Sequence, residues 1–156
     1  MPRPAAPGWM VTTSLVLCAA GLAVSGYLTV EHFSHGTSFA CPESSTINCV
    51  KVTTSSYSKV LGVPVAVLGL VFFAVMGALS LPPAWRPALR APRLAGAAVG
   101  VVSVLWLVWA ELFRIDAICL WCTVVHLLTL ALFAVLVMGE ALSAPLPDDR
   151  TRLSAR

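Results

Sequence analysis

Residues 117–138 read AICLWCTVVHLLTLALFAVLVM, 22 residues with no Asp, Glu, Lys or Arg among them. A helix rises about 1.5 Å per residue, so a stretch of this length crosses a hydrocarbon layer of about 30 Å. Three similar stretches precede it, at about 9–30, 60–81 and 94–113. The first is free of charge, the second stops at Pro82-Pro83, and the third has Glu111 near its end. The expected fold is all-α and integral to a membrane, a four-transmembrane-helix bundle.

The composition agrees. Of 156 residues, 58% are hydrophobic and only 11% charged, against roughly 25% charged in a soluble domain. Mean hydropathy is +0.89. So short a chain in water would need far more polar surface to cover itself, so its main solvent should be lipid. The net charge of +3 is small and scattered, which argues against nucleic-acid binding.

The first stretch has two alternatives. A cleaved signal peptide is disfavoured by the length of the apolar run and the lack of a clean small-x-small site. A lipoprotein reading at Cys18 is disfavoured by bulky Leu17 before it. It is read as a retained helix.

Orientation follows the distribution of basic residues. Arg3, Arg86, Arg90, Arg93, Arg150, Arg152 and Arg156 fall on one side; Lys51, Lys59 and Arg114 fall on the other. Both termini are therefore expected in the cytoplasm of a multi-pass protein of the cytoplasmic membrane. The long 31–59 loop between helices 1 and 2, and the 114–116 turn, are expected outside. One membrane domain over 1–143 and a disordered cytoplasmic tail over 144–156 complete the expected organisation.

This orientation places four of the five cysteines on the outer, oxidising side, where disulfides persist. Cys119 and Cys122 open the fourth helix after Asp116, a candidate N-cap. Residues three apart share a helical face, and the positive end of a helix favours thiolate over thiol. Cys41 and Cys49 flank seven polar or turn-prone residues, expected to form a flexible exposed loop. Cys18 lies alone in mid-span. The plain readings are apolar packing for the helix pair and a static staple for the loop pair. A tetrahedral zinc site is another option for four thiolates, although the eight-residue step between Cys41 and Cys49 is long for one.

Together the pairs suggest a relay, because thiol–disulfide exchange needs a thiolate, a target disulfide and freedom to meet. Electrons must then leave. No haem-attachment motif and no Gly-rich dinucleotide fingerprint are present, and no metal is expected. A lipid-soluble quinone of menaquinone or ubiquinone type suits an acceptor at a helix end in the bilayer.

The order Cys41-x7-Cys49 then Cys119-Leu-Trp-Cys122, with the segment Ser55-Ser56-Tyr57-Ser58-Lys59-Val60-Leu61-Gly62-Val63-Pro64-Val65, resembles the vitamin K epoxide reductase family in its bacterial form. The resemblance covers all four spans. It implies a quinone-dependent thiol oxidoreductase that regenerates disulfides in an extracytoplasmic thioredoxin-like (DsbA-like) partner, supporting oxidative protein folding. Cys41 would face that partner, Cys49 would pass electrons to Cys119, and Cys122 would meet the quinone. Ser55 matches a family serine near the quinone, and it also suits a helix cap or turn. The DsbB family has its Cys-x-x-Cys first; here it comes second.

The chain departs from the animal members, which place an asparagine on the second span and a tyrosine one turn past the redox pair. Its only asparagine is Asn48, and His126 holds the tyrosine position. Oxidation of dithiols is therefore expected rather than reduction of vitamin K epoxide. Only about 18 residues follow the fourth span, so the thioredoxin-like partner is expected to be a separate protein.

His126, four residues after Cys122, could hydrogen-bond a quinone or another helix. Phe72, Phe73 and Leu68 are candidates for the pocket wall, or for lipid-facing and packing positions. Glu111 and Arg114 read as a surface ion pair, and Gly62, Gly69 and Gly77 as close-packing positions. The non-enzymatic alternative is a small structural or assembly subunit with a stapled outer loop and no redox turnover.

Overall fold

The computed structural model describes residues 7–34, 40–42 and 44–142. The expected tail over 144–156 lies outside them, as do Arg3, Arg150, Arg152 and Arg156.

Four apolar helices form the bundle: α1 (Gly8–Phe33), α3 (Val65–Ser80), α4 (Arg90–Ala110) and α5 (Leu120–Leu142). Between α1 and α3 lie the short α2 (Cys49–Thr54) and a hairpin of β1 (Lys59–Val60) and β2 (Val63–Pro64). Three of the long helices have the length and hydropathy to cross a membrane; α3 is apolar but shorter, at 16 residues. The protein is a multi-pass membrane protein. Large apolar side chains such as Val16, Val102, Leu105 and Leu127 face outward, a surface that lipid accepts and water would not.

The second span is therefore shorter than expected at its start. Residues 60–64 turn back as a hairpin, with Lys59 opposite Pro64 and Val60 opposite Val63. Leu61 and Gly62 take positive φ values of 51° and 83°, the left-handed pair that a two-residue hairpin turn demands. Gly62 serves this turn and packs against no helix. Gly69 and Gly77 do sit at helix contacts, facing Ser25 and Cys18. The third span starts earlier than expected and ends in a π-helical turn over Glu111–Ile115. The fourth starts and ends later.

Helix α1 is the bundle's spine. Its buried residues Met10, Ser14, Cys18, Gly21, Ser25, Leu28 and Glu31 recur every three or four positions, a single seam of mostly small side chains that lets neighbouring helices approach. The Phe73 ring occupies the space that a Cβ on Gly21 would fill. Cys18 is the free cysteine, buried within the core that includes Met10, Met76, Leu132 and Leu136. At the same end, Glu140 of α5 pairs with Arg90 at 2.7 Å and Arg93 at 3.2 Å. The Arg93 guanidinium also stacks 3.8 Å over Trp85. The cysteine pairs occupy the opposite end.

Candidate functional site

Residues 42 and 44–46 are exposed, as expected of a polar loop, but the end of the segment at 47–49 is pinned rather than loose. Ile47 and Ile118 form a parallel bridge: the Ile118 N–H donates to Thr46 at 2.9 Å, and the Asn48 N–H donates to the Ile118 carbonyl at 3.0 Å. The Asn48 side chain then caps α2, accepting from the Lys51 N–H at 2.8 Å, which offsets one of the helix's unpaired donors. Lys51 reaches across to the Asp116 carbonyl at 3.3 Å. Cys49 is thus the first residue of a capped helix and 1% exposed. The local turn forms as well, the Ser44 N–H donating to the Ile47 carbonyl at 3.0 Å and Ser44 Oγ accepting from the Ile47 N–H at 3.0 Å, and the long-range bridge to Ile118 pins it.

The sulfurs form two disulfides, Cys41–Cys49 with Cα atoms 6.3 Å apart and Cys119–Cys122 at 5.1 Å. Both pairs lie in one apolar cluster, with Cys49 and Cys119 buried and Cys41 and Cys122 packed against them. Cys119 takes the start of α5, its carbonyl accepting from the Thr123 N–H at 2.9 Å. Asp116 is therefore not the N-cap: it adopts a left-handed conformation that ends the preceding π turn, three residues before the redox pair. Two aromatic residues hold the other side of the loop. Ala40, just before Cys41, donates its N–H to Tyr27 Oη at 3.0 Å and accepts from Trp121 Nε1 at 2.9 Å.

Beneath the Cys119–Cys122 pair lies a cavity of about 640 Å³ among α1, α3, α4 and α5. It is lined by Cys122 and by the expected Ser55, Leu68, Phe72 and His126. Phe73 also borders it, turned toward Gly21. Leu68 on α3 and Val102 and Trp106 on α4 line the cavity and are also exposed. The space therefore reaches the lipid-facing surface between those two helices. Its size falls in the range of small-molecule sites, roughly 300–1,000 Å³. Apolar walls, a few polar groups and a sulfur at the rim suit the ring and tail of a lipid quinone.

The polar groups differ in what they are free to do. Ser55 ends α2, and its hydroxyl donates to the Val52 carbonyl at 2.8 Å, the capping alternative. His126 is 6% exposed, and among the described residues no hydrogen bond to its ring is found, so the helix-bridging alternative has no bond to support it.

The expected Glu111–Arg114 pair does not form. Arg114 Nε donates to Tyr57 Oη at 2.8 Å, and its guanidinium lies 5.8 Å from the Tyr57 and Trp109 ring centres. Glu111 points the other way, 6% exposed, lining the cavity and facing the Cys119 peptide N–H. A π turn has more residues per turn than an α-helix, so positions three apart no longer align as sequence spacing suggests. An acidic residue inside an apolar span was the signal for this site.

No curated protein matches the sequence closely enough to be informative. Residues 12–137 match the vitamin K epoxide reductase family, a region that holds both cysteine pairs, the cavity's polar residues and most of all four long helices. Two disulfides sharing one apolar cluster beside an apolar cavity suit such thiol–disulfide chemistry, and the chain belongs to the vitamin K epoxide reductase family.

Proposed function

We propose that this protein is a quinone-dependent thiol oxidase that regenerates the disulfide of a separate, extracytoplasmic thioredoxin-like protein. The observation that carries this reading is the gathering of both disulfides in one apolar cluster, with Cys122 at the rim of the apolar cavity. Cys41 is the less buried member of the loop pair and takes the partner's thiolate. Cys49, released by that exchange, attacks the inner pair at Cys119. Cys122 is thereby freed at the cavity, and once Cys41 re-forms its bond to Cys49 the inner pair stands as a dithiol. A menaquinone- or ubiquinone-type molecule bound there supplies a two-electron, two-proton acceptor.

The chain's residues do the rest. Leu68 and Phe72 shape the wall and keep water from it; the opening between α3 and α4 gives an isoprenoid tail a path to lipid. His126, one turn past Cys122, supplies a hydrogen-bond donor to a ring oxygen, and Ser55 a second polar contact. The orientation that serves this reaction has both termini cytoplasmic and the disulfides outside, as the basic residues suggest. A single membrane domain over 1–143 and a cytoplasmic tail over 144–156 go with it.

Stopped-flow reduction of a soluble quinone analogue by the purified protein, driven by a reduced thioredoxin-like protein, tests the function. Turnover that requires both partners is expected. Stable disulfides and no quinone reduction would leave the stapled structural subunit as the better reading.

A further inference from the structure

Glu111 is a carboxyl group buried where a carboxyl group is costly. Removing an ionisable group from water demands a partner or a function. Among the described residues, the ion pairs join Glu140 to Arg90 and Arg93, and Arg114 is committed to Tyr57. Among the described residues no basic side chain forms an ion pair with Glu111. It sits instead at the first position of the π turn that delivers the chain to Cys119. Its carbonyl receives the Ala117 N–H at 3.3 Å, while its carboxyl group faces the Cys119 peptide. π turns recur at functional positions in helices.

Its position between spaces is as informative. Glu111 and His126 both line the main cavity, and both also line a second hollow of about 280 Å³ bounded by Ile118 and Thr123. The two side chains form a shared wall around the start of α5. Cys119 is 0% exposed and borders neither space, whereas Cys122 borders the main one.

The chemistry needs a group there. When the inner dithiol is oxidised, the Cys119–Cys122 bond forms and both S–H bonds break. Two electrons pass to the quinone, and its two carbonyl oxygens end as hydroxyls. Cys122 releases its proton straight into the cavity. Cys119 has no open path for its own. We propose that Glu111 accepts the proton leaving Cys119 and releases it into the cavity, a role that rests on the quinone-linked reading above. The carboxylate is protonated as the Cys119 thiolate forms a bond to Cys122, then deprotonated toward the acceptor, so the glutamate ends each cycle unchanged. His126, on the same wall, orients the acceptor.

The test uses full-length protein in lipid, with Glu111→Gln, which keeps the shape and an acceptor for the Cys119 N–H but cannot carry the proton, and Glu111→Asp. The first readout needs no quinone. Reducing the inner disulfide with a small dithiol should change a carboxyl infrared band that shifts on carbon-13 glutamate labelling and is lost in Glu111→Gln. The second is steady-state quinone reduction. Glu111→Gln should lower kcat about 10²-fold, the usual scale for a positioned proton carrier, with KM for quinone within about twofold. Glu111→Asp should recover part of the loss, and the solvent deuterium isotope effect should rise in Glu111→Gln.

Should Glu111→Gln prove unstable, the labelled wild-type band decides: a redox-linked glutamate carboxyl signal supports the proposal, and its absence overturns it. Wild-type kcat in a folded Glu111→Gln also overturns it. Failure of the wild-type protein to reduce quinone would sink the broader function, while the infrared readout would still judge Glu111.

Discussion

The indole N–H of Trp121 donates to the carbonyl of Ala40 at 2.9 Å, tying the middle of the inner redox motif to the residue before Cys41. Tyr27 closes the contact from α1, meeting the Trp121 ring edge-on at 5.2 Å and accepting the Ala40 N–H. The loop disulfide is therefore held beside the helix disulfide by Trp121, one of the two residues between Cys119 and Cys122.

Trp121→Phe keeps an aromatic ring against Tyr27 but removes the donor. One such bond contributes about 1 kcal/mol, a factor of about five in an opening equilibrium. Reduction of Cys41–Cys49 by a small external dithiol should speed up by about that factor. An unchanged rate would mean that the hydrogen bond does not restrain the loop.

Cys49→Ala should leave Cys41 in a stable mixed disulfide with the partner, because no neighbouring thiol remains to resolve it. Cys119→Ala should stop transfer from the loop while Cys122 stays alkylatable from the cavity. Gel-shift trapping reads both. Partner oxidation at wild-type rates in Cys41→Ala and Cys49→Ala alike would reduce the loop disulfide to a staple.

His126→Phe should slow quinone reduction about tenfold, less than the 10²–10³ typical of losing a fixed donor, since water can substitute near a membrane surface. Exchange between Cys49 and Cys119 should be untouched, and His126→Gln should regain part of the rate. Rapid-mixing absorbance separates the two steps. A wild-type rate in His126→Phe would make the histidine a packing residue.

Gly21→Val should destabilise the bundle by about 1–3 kcal/mol through overpacking, because the Phe73 ring already fills the position of its Cβ. Gly26→Ala meets only Leu70 Cδ1 at 3.7 Å and serves as the control. Thermal unfolding in detergent compares them; equal midpoints would mean that Phe73 moves aside at little cost.

What could be read from residue order alone was set by the solvent. In lipid every backbone polar group must be satisfied within the chain, so long apolar runs without charge mark helices directly. That is why the four long helices and the two cysteine pairs were legible. The family resemblance was legible too, because cysteine spacing and the Ser55–Val65 segment are properties of order. The start of the second span was not: Leu61-Gly62-Val63-Pro64 is apolar enough for a helix, and the left-handed pair at 61 and 62 turned it into a hairpin.

Only the tertiary structure decided which groups meet. The 41–49 segment is polar and turn-rich, yet the Ile47–Ile118 bridge and the Trp121–Ala40 bond hold it beside the inner disulfide. Glu111 and Arg114 look paired at three residues' spacing, yet the π turn sends one beside Cys119 and the other to Tyr57. The lipid requirement acts on each segment alone, so sequence reveals it. The cavity, the buried carboxyl group and the gathered disulfides depend on contacts between segments far apart in sequence, as from Tyr57 to Arg114 (57 residues) or Ala40 to Trp121 (81 residues), and those are fixed only when the helices pack.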